Sequence, residues 1–198
     1  EDVLNMRICV YGAASSEIDK VYTDAGEELG RKMAERGMSY TFGGGRSGMM
    51  GAVARGVKEK DGYILGISPK FFEENNAEIS FVECSRFIHT ETMRERKQML
   101  EENSDAFIVS PGGIGTFDEF FEILTLKQLG RHNKPIVIWN IDHYYDDLLS
   151  MMQKSVDKKF ITDDCRNLYK VYSNIDGMLD YIENYKPEDF DLSLVKIR

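Results

Sequence analysis

Short apolar runs recur along the chain, each followed by a stretch with helical spacing. Arg7-Ile8-Cys9-Val10-Tyr11 reads as a first strand, and the helix after it places Ile18, Val21, Tyr22, Ala25, Leu29 and Met33 on one face. Gly37 stops that helix, and Ser39-Tyr40-Thr41-Phe42 makes a second strand. A glycine run, Gly43 to Gly51, opens a helix ending near Lys60. Tyr63 to Ile67 is a third strand, stopped by Pro69. Residues 70–85 carry no clear period and are expected to form a loop bordering the site. A short strand near Arg86 to Ile88, a helix from Glu91 to Asn103 and the buried strand Ala106 to Val109 follow. Phe117, Phe120, Phe121 and Leu124 predict a helix beginning near Thr116. Pro135 to Asn140, Tyr144 to Lys158 and Asp176 to Tyr185 read as strand, helix and helix, ahead of a charged tail at 186–198.

Strands that are apolar throughout and alternate with helices predict an α/β fold: a Rossmann-like, mostly parallel sheet covered by helices on both faces. Right-handed crossovers gather the strand-to-helix loops at the carboxyl edge, where such folds bind ligands. No repeat or linker divides the chain, so residues 1–198 are expected to form one domain. Met6 is expected as the native start, with 1–5 a remnant ahead of it.

The net charge of -9 argues against a nucleic-acid or anionic-membrane partner, both of which need a basic surface. Three separated cysteines, Cys9, Cys84 and Cys165, fit free thiols in a reducing, cytoplasmic compartment. No apolar run reaches transmembrane length. His89, His132 and His143 have no metal spacing, so no metal is expected.

The chemistry concentrates at Ser110-Pro111-Gly112-Gly113-Ile114-Gly115-Thr116-Phe117-Asp118-Glu119. A glycine turn between a strand and a helix lets backbone N–H groups close on an anion, favoured further by the helix dipole. Thr116 to Glu119 also fits a capping box, which would explain both residues without catalysis. Gly43-x-Gly45-x-x-Gly48 satisfies a dinucleotide fingerprint, yet it follows the second strand and no acid ends the third. Close packing, or a second anion-contacting loop through Gly44 and Gly45, is the better reading. Arg96 lies three residues after Met93 and four before Leu100, on the buried face of its helix. It either snorkels to an edge or a carboxylate, or faces a ligand as a fixed cationic fork.

Together, the Gly43–Gly51 run, Met93-Arg94-Glu95-Arg96-Lys97 and Pro111-Gly112-Gly113-Ile114-Gly115-Thr116-Phe117-Asp118-Glu119 resemble the LOG family, as do Gln128-Leu129-Gly130 and Asp142-His143-Tyr144-Tyr145. These are cytokinin riboside 5'-monophosphate phosphoribohydrolases, often mislabelled lysine decarboxylases. The resemblance implies a homodimer without cofactors that hydrolyses the N-glycosidic bond of AMP or an N6-modified AMP. It implies a catalytic pair, Arg96 and Glu119. Substrate contacts would come from Lys97, the turn Gly113, Ile114, Gly115 and Thr116, and Thr125, with Glu78 as a further acid. Gly12-Ala13-Ala14-Ser15 stands where the family usually has Cys-Gly-Ser-Ser, so Ser15 is expected near the phosphate with one hydroxyl fewer beside it. A non-catalytic nucleotide or cofactor carrier on the same scaffold is the alternative.

Overall fold

The computed structural model describes residues 5–74 and 78–187. The expected remnant up to residue 4 and the tail beyond 187 lie outside the described residues. The strands are β1 (Arg7–Tyr11), β2 (Ser39–Phe42), β3 (Ile64–Pro69), β4 (Arg86–Thr90), β5 (Ala106–Val109), β6 (Ile136–Trp139) and β7 (Lys170–Tyr172). The helices are α1 (Lys20–Glu35), α2 (Gly48–Glu59), α3 (Lys70–Glu74), α4 (Met93–Glu102), α5 (Ile114–Gln128), α6 (Asp146–Asp157) and α7 (Ile175–Glu183). The strands form one sheet in the order β4-β3-β2-β1-β5-β6-β7, every pair parallel. The sheet is thus wholly parallel, and it gains β7, three residues too short to leave an apolar period in the sequence. α3 likewise occupies part of the stretch expected as loop.

Alternation along the strands divides the core in two. Ile8, Val10, Tyr40, Phe42, Ile108 and Trp139 point to the face covered by α1, α2 and α7. Cys9, Tyr11, Ile67, Phe107, Val109 and Ile138 point to the face covered by α4, α5 and part of α6. α1 and α2 cross closely because Gly30 and Gly56 carry no side chain; a Cβ on either would lie 2.2 or 2.0 Å from a carbonyl oxygen of the other helix. Lys32 on α1 and Arg36, its C-cap, hold α7 through Asp176, Asp180 and Glu183. The three thiols are free, and no helix among the described residues is long and apolar enough to cross a membrane.

The connection from α5 to β6 is pinned by His132. Its Nε2 donates to the Ile123 carbonyl at 2.8 Å, and its Nδ1 accepts the Lys134 N–H at 3.2 Å. Only a neutral imidazole can do both, and burial pushes its pKa down to about 4. The unfolded chain therefore takes up this proton first as pH falls. The stability contributed above pH 6.5 is lost progressively towards pH 4, by on the order of 3 kcal/mol. Urea unfolding at pH 7 and pH 4.5 checks this: His132→Gln should be less stable than the wild type at pH 7, with the gap narrowing at pH 4.5. A gap independent of pH would refute it.

Candidate functional site

The strand order reverses at β1: the chain runs outward through β2, β3 and β4, then returns to place β5 on β1's other side. The crevice at their carboxyl ends is where an open α/β sheet receives a ligand. The loop after β1 and the turn after β5 are stitched together there. Ser110 donates both its N–H (2.9 Å) and its hydroxyl (2.6 Å) to the Tyr11 carbonyl, and the Ala13 N–H donates to the Pro111 carbonyl at 3.0 Å. A cavity of 360 Å³ opens at this point, lined by Gly12 to Ser15, Met50, Phe72, Glu78, Met93, Arg96, Gly113, Gly115, Thr116 and Glu119.

One wall is the start of α5. Its N-cap is Gly113, without a side-chain cap, and its first turn carries no acid. The first-turn amides of Ile114, Gly115 and Thr116 thus have no intrahelical partner. A Cβ built on Gly113 or Gly115 meets nothing within 4 Å, so the space beyond them is free for an anion. The start at Ile114 corrects the expected start near Thr116, and with it the capping box. Thr116 is the third helical residue, buried under Gly112, and Glu119 is the sixth, too far along to cap anything.

The facing wall carries Arg96, 5% exposed. Its Nε donates to the Ile67 carbonyl of β3 (3.2 Å) and its Nη2 to the Gly43 carbonyl just after β2 (3.1 Å), with the guanidinium carbon 5.4 Å from the centre of the Phe72 ring. Among the described residues it makes no ion pair. Backbone oxygens fix its orientation while its charge stays available to the cavity. The expectation that it snorkels to an edge or a carboxylate therefore gives way to the cavity-facing fork.

The glycine run after β2 makes room for this arrangement. A Cβ on Gly43 would lie 1.7 Å from Arg96 Nη2, and one on Gly45 would lie 2.0 Å from Glu78 Oε1. Gly44, at φ +89, turns the chain between them against Phe87. Gly44 and Gly45 are thus the backing of the site, outside the cavity lining.

Two carboxylates share the neighbourhood of Arg96. Glu119 is pushed up to about 7, chiefly by burial, with Arg96 opposing and Asp118 and Glu78 adding to the rise. Glu78 is also raised by burial against Arg96, and its Oε1 is buried without a hydrogen-bond partner among the described residues. A buried carboxylate oxygen left unpaired in a cavity wall is disfavoured until a donor arrives.

The remaining expected positions are engaged differently. Ser15 lines the cavity but is exposed, and its hydroxyl accepts the Glu17 N–H at 3.1 Å. Lys97 is turned to Asp118 (3.0 Å) and Glu122 on α5. Thr125 sits on the outer face of α5, bordering a second, largely apolar concavity with Ile114, Phe117, Phe121 and Leu126, which Asp118 and Glu122 also line. Ile114 contributes its amide to the α5 start while its side chain, 86% exposed, belongs to that outer face. Phe72 had no sequence signal, because a five-residue helix shows no period. Among the described residues no cluster of His, Cys, Asp or Glu is arranged to hold a metal.

Residues 50–182 match the sequence model described as possible lysine decarboxylase. The cytokinin riboside 5'-monophosphate phosphoribohydrolase LOG2 of Arabidopsis thaliana is 36% identical over 185 residues, covering 93% of this chain and 86% of that protein. The phosphoribohydrolase LOG of Oryza sativa subsp. japonica is 34% identical, covering 96% and 77%. Among solved structures, the molybdenum cofactor binding protein from the phototrophic bacterium Rippkaea orientalis superposes with a TM-score of 0.68 at 22% identity, over 91% of this chain and 97% of that one, a likeness of fold alone. With its Rossmann-like sheet and relatives of this kind along nearly its whole length, the chain belongs to the LOG family.

Proposed function

We propose that the protein hydrolyses the N-glycosidic bond of a nucleoside 5'-monophosphate, AMP or an N6-modified AMP such as a cytokinin riboside monophosphate, releasing the free base and ribose 5-phosphate. The observation that carries this reading is one cavity holding an open helix N-terminus, a backbone-anchored arginine that makes no ion pair among the described residues, and a desolvated carboxylate. The relatives named phosphoribohydrolases support the reaction class.

The 5'-phosphate is received by the amides of Ile114, Gly115 and Thr116. Arg96 faces the ribose phosphate as a fixed cation, so that binding energy orients the sugar. As the bond from C1' to the base nitrogen breaks, its electron pair leaves with the base, which takes up a proton from solvent, and positive charge grows on the ribose. The ionised Glu119 stabilises that charge and takes a proton from the water that attacks C1'. Glu78 lines the same cavity, and its Oε1, unpaired among the described residues, accepts a substrate hydroxyl or amine. Phe72, Met50 and Met93 supply the apolar lining against which a base packs.

The same reading includes a homodimer in a reducing compartment. It is supported by the apolar outer face of α5, where Ile114 and Phe121 are exposed, and by the three free thiols. Thr125 would then act towards a neighbouring subunit, and Lys97 would act through the α5 carboxylates it holds.

Base release from AMP and isopentenyl-AMP, followed chromatographically, tests the reaction. The wild type should release base from at least one of them and far more slowly from adenosine. Gly115→Ala should leave the fold intact, and stabilise α5 by about 0.5–1 kcal/mol through helix propensity, while lowering kcat/KM for the monophosphate on the order of 100-fold by filling the anion space. Binding of AMP without base release would turn the reading to a nucleotide carrier.

A further inference from the structure

Resting on the nucleotide-site reading, we propose that Tyr144 is a positioning residue for phosphate: its phenol locks the Gly112–Gly113 peptide so that the Gly113 N–H faces the anion. Tyr144 donates its hydroxyl to the Gly112 carbonyl at 2.6 Å, across 32 residues of sequence. A peptide group is planar, with its C=O and N–H on opposite sides. Holding the Gly112 oxygen towards Tyr144 therefore turns the Gly113 N–H the other way, and Gly113 lines the cavity. This peptide is the most easily flipped in the turn, because a glycine flanks it on each side. A flip would present a carbonyl oxygen to the phosphate in place of a donor.

The segment carrying Tyr144 is built to hold it still. After β6 the chain makes a single 3-10 turn, Ile141–His143, in which Asp142 (φ 49) and His143 (φ 61) both adopt left-handed backbone without being glycine. Such conformations persist where surrounding contacts over-determine them. Here the Asn140 side chain accepts the Tyr145 N–H at 2.7 Å and donates to Asp146 at 2.7 Å. The Tyr144 N–H returns to the Ile141 carbonyl at 3.0 Å, and Tyr144 stacks edge-on to both Tyr22 and Tyr145. The buried Tyr145 holds the same turn two residues earlier, donating to the Ser110 carbonyl at 2.7 Å. That bond secures the path of the chain but orients no amide, because the next residue is Pro111. The two phenols thus divide the work: Tyr145 fixes where the turn runs, Tyr144 which way its first amide points.

Tyr144 is 42% exposed, so water can replace the lost hydroxyl in Tyr144→Phe and the fold should hold. Three measurements on the full chain test the proposal: melting temperature, kinetics or calorimetric affinity with AMP, and the Gly113 amide cross-peak titrated with inorganic phosphate. Wild type should show a Gly113 shift on adding phosphate. Tyr144→Phe should lose most of that shift and raise KM or Kd for AMP about tenfold, with kcat within about twofold and melting nearly unchanged. Unchanged AMP affinity and an unchanged Gly113 shift in the variant would overturn the brace and leave the proposed hydrolase standing. A drop in melting temperature with kcat and KM affected alike would reduce Tyr144 to a structural residue. Failure of the wild type to bind AMP would overturn the nucleotide site and the brace together.

Discussion

Glu119→Gln is expected to lower kcat for base release by about 10³-fold or more while making the protein more stable at pH 8. The loss of rate follows from removing the one group proposed both to stabilise the ribose cation and to accept the proton of water, each worth a factor of about 10² or more. The gain in stability follows from the same desolvation. The folded carboxyl sits at about 7 against an ordinary value of 4.5. As pH rises the unfolded chain therefore loses its proton first, so stability is fully present below pH 4.5 and declines until about pH 7. Above that, the ionised side chain disfavours the fold by on the order of 3 kcal/mol. Glutamine keeps the shape without the charge, and Arg96 keeps both its carbonyl partners. Urea unfolding at pH 5 and pH 8 reads the effect: the variant should gain on the wild type only at the higher pH. A difference that does not vary with pH would mean that Glu119 is not desolvated in the fold. In the wild type the same ionisation should make kcat/KM climb through about pH 7. A stabilising substitution that stops the reaction is what a site held in strained electrostatics produces.

That Glu119 takes no part in a helix cap could not be decided from the sequence, because Thr116 and Glu119 have the spacing of a capping box. The structure puts a working threonine cap one helix earlier: Thr92 Oγ1 accepts the Glu95 N–H at 3.1 Å, while the Glu95 carboxylate reaches one residue past the cap to accept the Glu91 N–H at 2.8 Å. Both sequences carry the pattern, and what separates them is where the helix begins: α5 has its N-cap at Gly113, three residues before Thr116. The strands and the longer helices were legible because a parallel sheet buried on both faces leaves unbroken apolar runs. α3 and β7 were not, being shorter than the periods that would announce them. Arg96 stayed ambiguous for another reason. Its partners are the carbonyls of Ile67 and Gly43, backbone atoms that no side-chain pattern encodes. Gly43 and Gly45 match a nucleotide fingerprint in spacing, and the close packing read in its place is that of Arg96 and Glu78, side chains far along the chain that fill the space the glycines leave. Thr125 follows Glu119 by six residues, a turn of about 240° on a helix, which already points it away from the cavity.

Arg96→Met should remove about 10³-fold from kcat/KM and, unlike Glu119→Gln, destabilise the protein. Methionine fills comparable space but cannot bond to the Ile67 and Gly43 carbonyls, and two buried acceptors left unsatisfied are disfavoured by on the order of 3 kcal/mol together. The guanidinium also opposes the effect of burial on Glu119 and Glu78. Its loss should raise both acids further, so the residual activity should rise with pH through a midpoint above the wild type's 7. Gly43→Ala reaches the same group from the opposite element: its Cβ would occupy a point 1.7 Å from Nη2 and force the guanidinium aside without removing its charge. Displacement of a positioned group by about 1 Å is worth about 100-fold in rate. This variant should therefore lose activity to an intermediate degree, while its pH midpoint stays nearer the wild type's. If Arg96→Met folded as stably as the wild type and kept its pH midpoint, the guanidinium would be neither the anchor of β2 and β3 nor the counter-charge of the two acids. Equal rates in Gly43→Ala and wild type would free Arg96 from any demand on position. The two variants separate the charge of Arg96 from its placement, and the proposed reaction requires both.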